Sequence, residues 1–217
     1  MTDGQSTGRT RIRRNAKRAV YALDEIRAVL DANQVCHVAY VEDGEPRVIP
    51  TLYLRRGDHL YLHGNRQAAL LKHLGAGGLA AVSVMSLDGV VVARSGFHCS
   101  MNYRSVVVFG QGEAVPESEH RQILDGFVGA LIPGHETVVR EPTAQELAAT
   151  AAVRLPITEA SAKIRSGDAI DDPGDLDADV WAGVIPLSTT AGKPIANADL
   201  KPGVKLPGYV AGYRPRA

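Results

Sequence analysis

The sequence lacks the features that define several large protein classes. Its 217 residues include two cysteines, Cys36 and Cys99, which excludes a disulfide scaffold and is typical of free thiols in the cytoplasm. No apolar run approaches the roughly 18 residues of a membrane-spanning helix, and the N-terminus lacks the apolar core of a signal peptide. We therefore expect a soluble, cytoplasmic protein without a membrane partner.

An excess of one charge sign is also absent, since 24 basic residues balance 24 acidic ones. The balance excludes a globally basic nucleic-acid-binding protein, so no nucleic-acid partner is expected. Residues 168–179 nevertheless contain six aspartates and no basic residue. A calcium site is one interpretation of this run, but it lacks the spacing and the closing glutamate of an EF-hand loop. We interpret it as a solvated loop and expect no metal site.

The common catalytic signatures are missing as well. The chain has no P-loop, Rossmann fingerprint, HExxH, GxSxG or CxxC motif. Serine hydrolases, zinc hydrolases and P-loop proteins are therefore disfavoured, and the chemistry must come from residues spread over several strand ends.

What the sequence does contain is a series of short apolar runs separated by turn residues, which is typical of an antiparallel sheet. Two of the predicted turns are the Asp-Gly pairs Asp43-Gly44 and Asp88-Gly89. We predict a mainly β fold, a β-barrel with flanking helices. The barrel domain spans residues 18–190, between a flexible N-terminal arm, 1–17, and an extended C-terminal tail, 191–217, packed on the same domain. The predicted strands are 35–41, 46–55, 59–63, 79–86, 90–94, 104–115, 153–165 and 180–190, and the predicted helices are 22–32, 65–74, 116–131 and 143–152. Pro133-Gly134 would stop the third helix, and Thr143 and Glu146 have the spacing of a capping box for the fourth.

Three polar segments carry the candidate chemistry. Arg47–Thr51 contains Pro50, which indicates an edge strand whose free backbone groups either pair with a planar heterocycle or protect the edge from aggregation. Leu62–Arg66 runs from a strand into a helix N-terminus capped by Asn65, where an anion is favoured and a simple capped helix is the alternative. Phe97–Ser105 places an imidazole, hydroxyls, an amide, a phenol and a guanidinium before an apolar strand, which suits phosphate binding.

Three stretches also carry a family resemblance. The runs PRVIPTLYLRRGDHLYLHGNRQAALLKHL and ARSGFHCSMNYRSVVVFGQGEAV, followed by VWAGVIPL, closely resemble the pyridoxamine-5′-phosphate-oxidase-like flavin-binding proteins. The nearest branch is that of the nitroimidazole-resistance reductases, and the resemblance covers residues 18–210. It implies an FMN-binding split β-barrel and a homodimer with flavin at the subunit interface.

The resemblance further implies roles for individual residues. The first segment would follow the flavin ring and ribityl chain, the second would approach the phosphate, and Trp181 would cover the ring from the partner subunit. His63 and Tyr103 would face the substrate as candidate catalytic residues. The expected flavin-binding residues are Arg47, Val48, Ile49, Pro50, Thr51, Leu62, His63, Gly64, Asn65, Arg66, Lys72, Ser100, Asn102, Arg104, Ser105 and Trp181.

Two departures from the family pattern refine the expected function. Ala68-Ala69-Leu70 stands near the place of the oxidases' helical phosphate cluster, so Arg66, Lys72 and Arg104 would have to supply that charge. The C-terminal Arg-Leu-His signature of true pyridoxamine-phosphate oxidases is missing, which disfavours vitamin B6 oxidation. We expect an FMN-dependent oxidoreductase acting on an unidentified small molecule. The alternatives are a non-catalytic flavin carrier or sensor, or the same barrel using a deazaflavin or haem.

Overall fold

The structure, a computed structural model, describes residues 6–216, in which antiparallel strands contain more residues than the α-helices. In chain order these are β1 (Ala19–Val20), β2 (Val35–Glu42), β3 (Glu45–Leu52), β4 (Leu54–Arg56), β5 (His59–Asn65), β6 (Leu79–Val92), β7 (Ser100–Gln111), β8 (Glu113–Ala114), β9 (Thr150–Pro156), β10 (Glu159–Arg165) and β11 (Gly183–Pro186).

The strands form two sheets that pack against each other without closing into one barrel. The larger sheet has the order β1-β10-β7-β6-β2-β3, with β11 paired to β6, and the smaller has the order β4-β5-β9-β8. The predicted mainly β, split-barrel fold is therefore confirmed. The division into an arm, a barrel domain and a tail stays a prediction.

Helices cover the ends and one side of the sheets. They are α1 (Leu23–Asp31), α2 (Ala69–Gly75), α3 (Glu117–Leu131), α4 (Ala144–Ala149) and α5 (Gly208–Ala211). The predicted capping box of α4 is present, since the Thr143 hydroxyl accepts from the Glu146 N–H and the Glu146 carboxylate accepts from the Thr143 N–H. Within residues 6–216, none of these helices has the length and apolar character needed to cross a bilayer.

The main core lies between the two sheets, because alternate residues of each strand point inwards. On β2 the buried residues are Cys36, Val38 and Tyr40, and on β6 they include Val82 and Val84. A second, smaller cluster lies on the other side of the smaller sheet, where α3 packs Ile123 and Phe127 against Tyr61, Val115 and Ala152. The smaller sheet is thus covered on both faces, whereas one face of the larger sheet is left open.

The predicted strand 46–55 is wrong as a single strand. The chain breaks at Tyr53 into β3, which belongs to the larger sheet, and β4, which belongs to the smaller one. The Tyr53 ring is 4% exposed, and its hydroxyl donates to the Leu30 carbonyl at the end of α1. This buried anchor holds the chain where it passes between the sheets.

Three other predicted boundaries are also corrected. Asn65 ends β5 instead of capping α2, because its side chain accepts from the Gln67 N–H and the helix begins at Ala69. The predicted turn at Asp88-Gly89 is a bulge inside the continuous strand β6. The predicted strand 153–165 is the hairpin of β9 and β10.

Part of the predicted N-terminal arm contacts the larger sheet. The Arg9 guanidinium forms an ion pair with Glu159 of β10, and Thr10 is 2% exposed. Residues 1–5 of the arm lie outside the described residues. At the other end, the predicted extended tail is exposed from residue 187 to 208 and then forms α5, whose Tyr209 hydroxyl bonds to His135.

Candidate functional site

The first predicted segment, Arg47–Thr51, lies on β3, which pairs with β2 alone among residues 6–216 and forms an edge of the larger sheet. Val48 is 59% exposed and Ile49 is 40% exposed, so the strand is bare on both faces. The Arg47 guanidinium forms ion pairs with two carboxylates, 3.0 Å from Nη2 to Glu45 Oε2 and 3.6 Å from Nε to Glu42 Oε2. An uncovered edge strand of this kind can receive a flat ligand against its backbone or side chains.

Arg47 also borders a trough of about 500 Å³ on the outside of the larger sheet. Its lining consists mainly of small and apolar side chains, together with Arg9, Arg47 and His73. The His73 ring is fixed there by a hydrogen bond from Nε2 to the Leu79 carbonyl, at 3.0 Å. The trough therefore combines a largely apolar lining with two arginines that are each paired with a glutamate, which suits a flat, mainly apolar ligand.

The second segment, Leu62–Arg66, lies on β5 and in the turn that follows it. Leu62 is buried in the main core, whereas His63 points to the opposite side and meets the Phe127 ring of α3 with a centroid distance of 4.2 Å. The Nδ1 atom of His63 is buried and has no hydrogen-bond partner among residues 6–216. Burial lowers the pKa of this imidazole, so its neutral form is favoured.

The phosphate-side residues of the second segment are spread out. The Gly64 backbone passes close to α2, because a Cβ there would stand 3.3 Å from Leu71 Cδ1. Arg66 pairs with Glu117 at 3.4 Å and lines a separate cavity of about 510 Å³ with His120. Lys72 is exposed on α2. The backbone near Gly64 leaves little room for any larger residue.

The third segment opens β7, where Arg104 is already engaged. Its guanidinium donates three hydrogen bonds of 2.8, 3.0 and 3.2 Å to the Asp88 carboxylate on β6, and the side chains are 32% and 33% exposed. The hydrogen bonds that Arg104 donates to Asp88 raise the pKa of its guanidinium above the ordinary value. The pair lines a third cavity, of about 500 Å³, with Asn33, Ser86 and Arg216 among its walls.

The rest of the third segment has structural partners. Asn102 is buried, and it accepts from the Arg165 guanidinium and donates to the Gly167 carbonyl at 3.0 Å. The Ser105 hydroxyl donates to the Lys163 carbonyl at 3.1 Å. Ser100 and Tyr103 are half-buried on the same strand. These contacts tie β7 to β10 and to the loop after it.

The acidic loop is anchored through a buried carboxylate. The Asp171 side chain is 1% exposed and accepts from the Arg94 guanidinium at 2.8 Å and the Arg94 N–H at 2.9 Å. Burial would raise the pKa of Asp171, but the bonds from Arg94 lower it below the ordinary value. Beside this anchor, His98, Asp172 and Asp175 place three potential metal-ligand atoms within 4.8 Å of one another.

The part of the larger sheet's open face that β2, β3 and β6 form is apolar, which is unusual for an antiparallel sheet that meets solvent. Its large side chains are between 36% and 59% exposed. The strand alternation and register put them on one side with the exposed His37 among them. We call this set the outer face: Val35, His37, Val41, Val48, Leu52, Leu79, Met85 and Leu87. Trp181 is also 66% exposed, shortly before β11.

The structure does not bring the predicted cations together within one chain. Arg47, Arg66 and Arg104 line three different cavities. Three side chains that contact the candidate residues or anchor the acidic loop were not identified from the sequence. Asp88 was overlooked because Asp-Gly indicated a turn, and Asp171 because a run of charges indicated a solvated loop. Arg165 gave no signal beyond its position at a strand end. The side chains of residues 79–92 alternate in burial, and this alternation was the signal that could have placed Asp88 inside one continuous strand.

Comparison with known proteins gives a consistent result. The model of the family described as pyridoxamine 5′-phosphate oxidase matches residues 22–164. The structure of the flavocytochrome Anf3 from Azotobacter vinelandii is 36% identical, with a TM-score of 0.90 over 96% of this chain and 97% of that one. The FAD and heme binding protein from Mycobacterium smegmatis is 38% identical, with a TM-score of 0.87 over 91% and 98%.

A more distant structure shares the fold alone. A protein from Bacteroides thetaiotaomicron named for 5-nitroimidazole antibiotic resistance is 16% identical, with a TM-score of 0.53 over 67% of this chain and 86% of that chain. The curated proteins contain no match.

Proposed function

The chain belongs to the pyridoxamine 5′-phosphate oxidase family, and from that premise we propose that it is a redox protein that binds both a flavin and a haem. The observation that carries the proposal is the similarity, over more than nine-tenths of the chain, to two proteins named as a flavocytochrome and as an FAD- and heme-binding protein. The two matches cover 96% and 91% of this chain at 36% and 38% identity, so the likeness extends well beyond residues 22–164, which the family model matches.

For the flavin we propose FAD in preference to the FMN expected from the sequence. The name of the M. smegmatis protein supports FAD. The polar cavity beside Arg104, with Asn33, Ser86 and Arg216 in its walls, offers hydrogen-bonding groups and charge for a nucleotide. The bare strand β3 from Arg47 to Thr51 offers an edge for the ring system. A bound flavin would supply the redox chemistry, and these residues would hold and orient it.

We propose that the functional unit is a homodimer formed through the outer face. Contiguous apolar surface on one side of a sheet marks an interaction site, and no charged side chain interrupts the middle of this one. A second copy applied there also lies beside β3, so both chains contribute to the flavin site. The dispersed cations within a single chain agree with a site completed by a partner.

The proposal is tested by cofactor analysis of the purified protein, expressed with riboflavin and a haem precursor supplied. Chromatography of the flavin released on denaturation distinguishes FAD from FMN, and a pyridine haemochrome assay counts haem per chain. We expect FAD and haem together. Protein that retains neither, and whose melting temperature does not rise with either added cofactor, contradicts the proposal, because a bound ligand stabilises the folded state.

The dimer has its own test. Val48→Asp places a charge on the outer face, and Asp177→Asn alters an exposed charge on the acidic loop as the matched control. We expect light scattering to show a dimer for the wild type and the control, and a monomer for Val48→Asp. A monomeric wild type rules the dimer out.

A further inference from the structure

The cavity beside Arg104 is lined by two parts of the chain that lie far apart in the sequence. Residues of β6, of β7 and of the turn after α1 form one wall, and they lie within the 22–164 segment that the family model matches. Residues 187–189 and Arg216 form the other wall, which we call the C-terminal wall, and they lie outside that segment. The cavity volume of about 500 Å³ is within the usual range for a cofactor site.

The C-terminal wall is held in place at both of its ends. The Leu187 N–H donates to the Asp88 carbonyl at 3.1 Å, directly after β11 has paired with β6. At the other end, the Arg216 guanidinium donates to the Ala130 carbonyl of α3 at 2.5 Å. These two contacts bring both ends of a long segment back to the same cavity.

Arg216 brings to the cavity a positive charge that has no acidic partner among residues 6–216. Its side chain is half-buried, and its guanidinium bonds to a neutral carbonyl group. Arg104 differs, because its charge is already neutralised by Asp88. Two arginines and one aspartate therefore leave one positive charge in excess among the lining residues. A guanidinium in such a position is well suited to bind a phosphate group.

FAD differs from FMN by an added AMP unit, which brings a second phosphate, a ribose and an adenine. A site that selects FAD therefore needs a further cation, polar groups for the ribose and apolar surface for the base. Arg216 supplies the cation, and Ser188 and Thr189 supply hydroxyl groups. Met85 and Leu187 supply apolar surface, since their side chains are 59% and 40% exposed.

We infer that the C-terminal wall selects FAD over FMN, with Arg216 binding the phosphate of the AMP unit. The inference rests on the proposed function and adds to it the residues that decide which flavin is bound. Arg104 serves the phosphate that the two flavins share. The two arginines should therefore have separable effects on flavin binding.

The test is equilibrium dialysis of the complete protein against an equimolar mixture of FAD and FMN, followed by chromatography of the bound flavins. Arg216→Ala removes the guanidinium, and Arg216→Gln removes the charge but keeps an N–H donor for the Ala130 carbonyl. Arg214→Ala is the matched control, because Arg214 belongs to the same segment and lines a different cavity. Arg104→Ala is included for contrast, and circular dichroism checks the fold of every variant.

We expect the ratio of bound FAD to bound FMN to fall by about 10- to 100-fold in both Arg216 variants, which is the usual effect of losing a hydrogen bond to a charged group. Separate titrations should show that the affinity for FAD falls while the affinity for FMN is unchanged. Arg214→Ala should keep the wild-type ratio. Arg104→Ala should bind both flavins more weakly and leave their ratio close to that of the wild type.

The inference is overturned if Arg216→Gln keeps the wild-type ratio, if the Arg216 variants lose as much affinity for FMN as for FAD, or if Arg214→Ala lowers the ratio equally. If Arg216→Ala is misfolded, Arg216→Gln decides. A wild-type protein that binds neither flavin, or that prefers FMN, overturns the proposed FAD site itself.

Discussion

The Arg104–Asp88 pair leads to a prediction in which stability and flavin affinity change in opposite directions. Asp88→Asn keeps the size of the side chain but removes the negative charge that three hydrogen bonds now neutralise. Both side chains are about one-third exposed, so the pair lies between a surface and a buried ion pair. We expect its loss to lower the free energy of unfolding by about 1–2 kcal/mol.

The same change should strengthen binding of a flavin phosphate. A phosphate on the free side of the Arg104 guanidinium would lie about 6 Å from Asp88, where the repulsion per unit charge is about 0.7 kcal/mol at a dielectric constant of 80 and about 2.8 kcal/mol at 20. Removing this repulsion should tighten flavin binding by about 3- to 100-fold, since about 1.4 kcal/mol of binding free energy corresponds to a factor of ten in affinity.

The assay is a fluorescence titration of flavin-depleted protein with FAD and with FMN, paired with urea unfolding. Arg104→Ala is the companion variant, and it should bind both flavins more weakly than the wild type. If Asp88→Asn destabilises the protein without increasing the affinity for FAD or FMN, Arg104 has only a structural role and the flavin phosphate binds elsewhere.

Three further predictions concern the fold. Tyr53→Phe removes a buried hydroxyl that bonds to the end of α1, and urea unfolding should show a loss of about 1 kcal/mol; unchanged stability contradicts the anchor. Gly112→Ala puts a Cβ 2.4 Å from the Leu74 carbonyl, and the melting temperature should fall by several degrees, corresponding to about 1–3 kcal/mol. Burial raises the pKa of Cys36 to about 12, so at pH 8 iodoacetamide should label exposed Cys99 alone in the native protein; mass spectrometry showing two labels contradicts this.

Local signals in the sequence predicted the elements whose causes are local. Helix α3 ends where Pro133-Gly134 stop it, and the Thr143–Glu146 capping box forms as its spacing indicates. The Asp43-Gly44 turn has φ values of 52° and 80°, the left-handed conformation that this hairpin signal requires.

Features that depend on distant partners were not predictable in the same way. Tyr53 separates two sheets because its ring and hydroxyl are buried against α1, which no pattern near residue 53 encodes. The Asp88-Gly89 pair looks like a turn, but β7 and β11 pair with β6 on both sides and keep it extended. Asp171 appears solvated in the sequence and becomes buried only because Arg94, far away along the chain, reaches it.

The candidate site was predictable as segments but not as an assembly. The sequence identified β3, the end of β5 and the start of β7, yet it could not show that the cations of these segments line separate cavities in one chain. Nor could it show that His63 would have a buried nitrogen without a partner, since that depends on the packing of α3 over the smaller sheet.

The most direct measurement of the central claim is the absorption spectrum of the intact purified protein, recorded oxidised and then after anaerobic reduction. Flavin binding together with haem binding predicts two superimposed signals: the flavin bands bleach on reduction, and the Soret and visible bands change to those of ferrous haem. A spectrum without flavin bands, or without a Soret band after both cofactors have been supplied, contradicts the account.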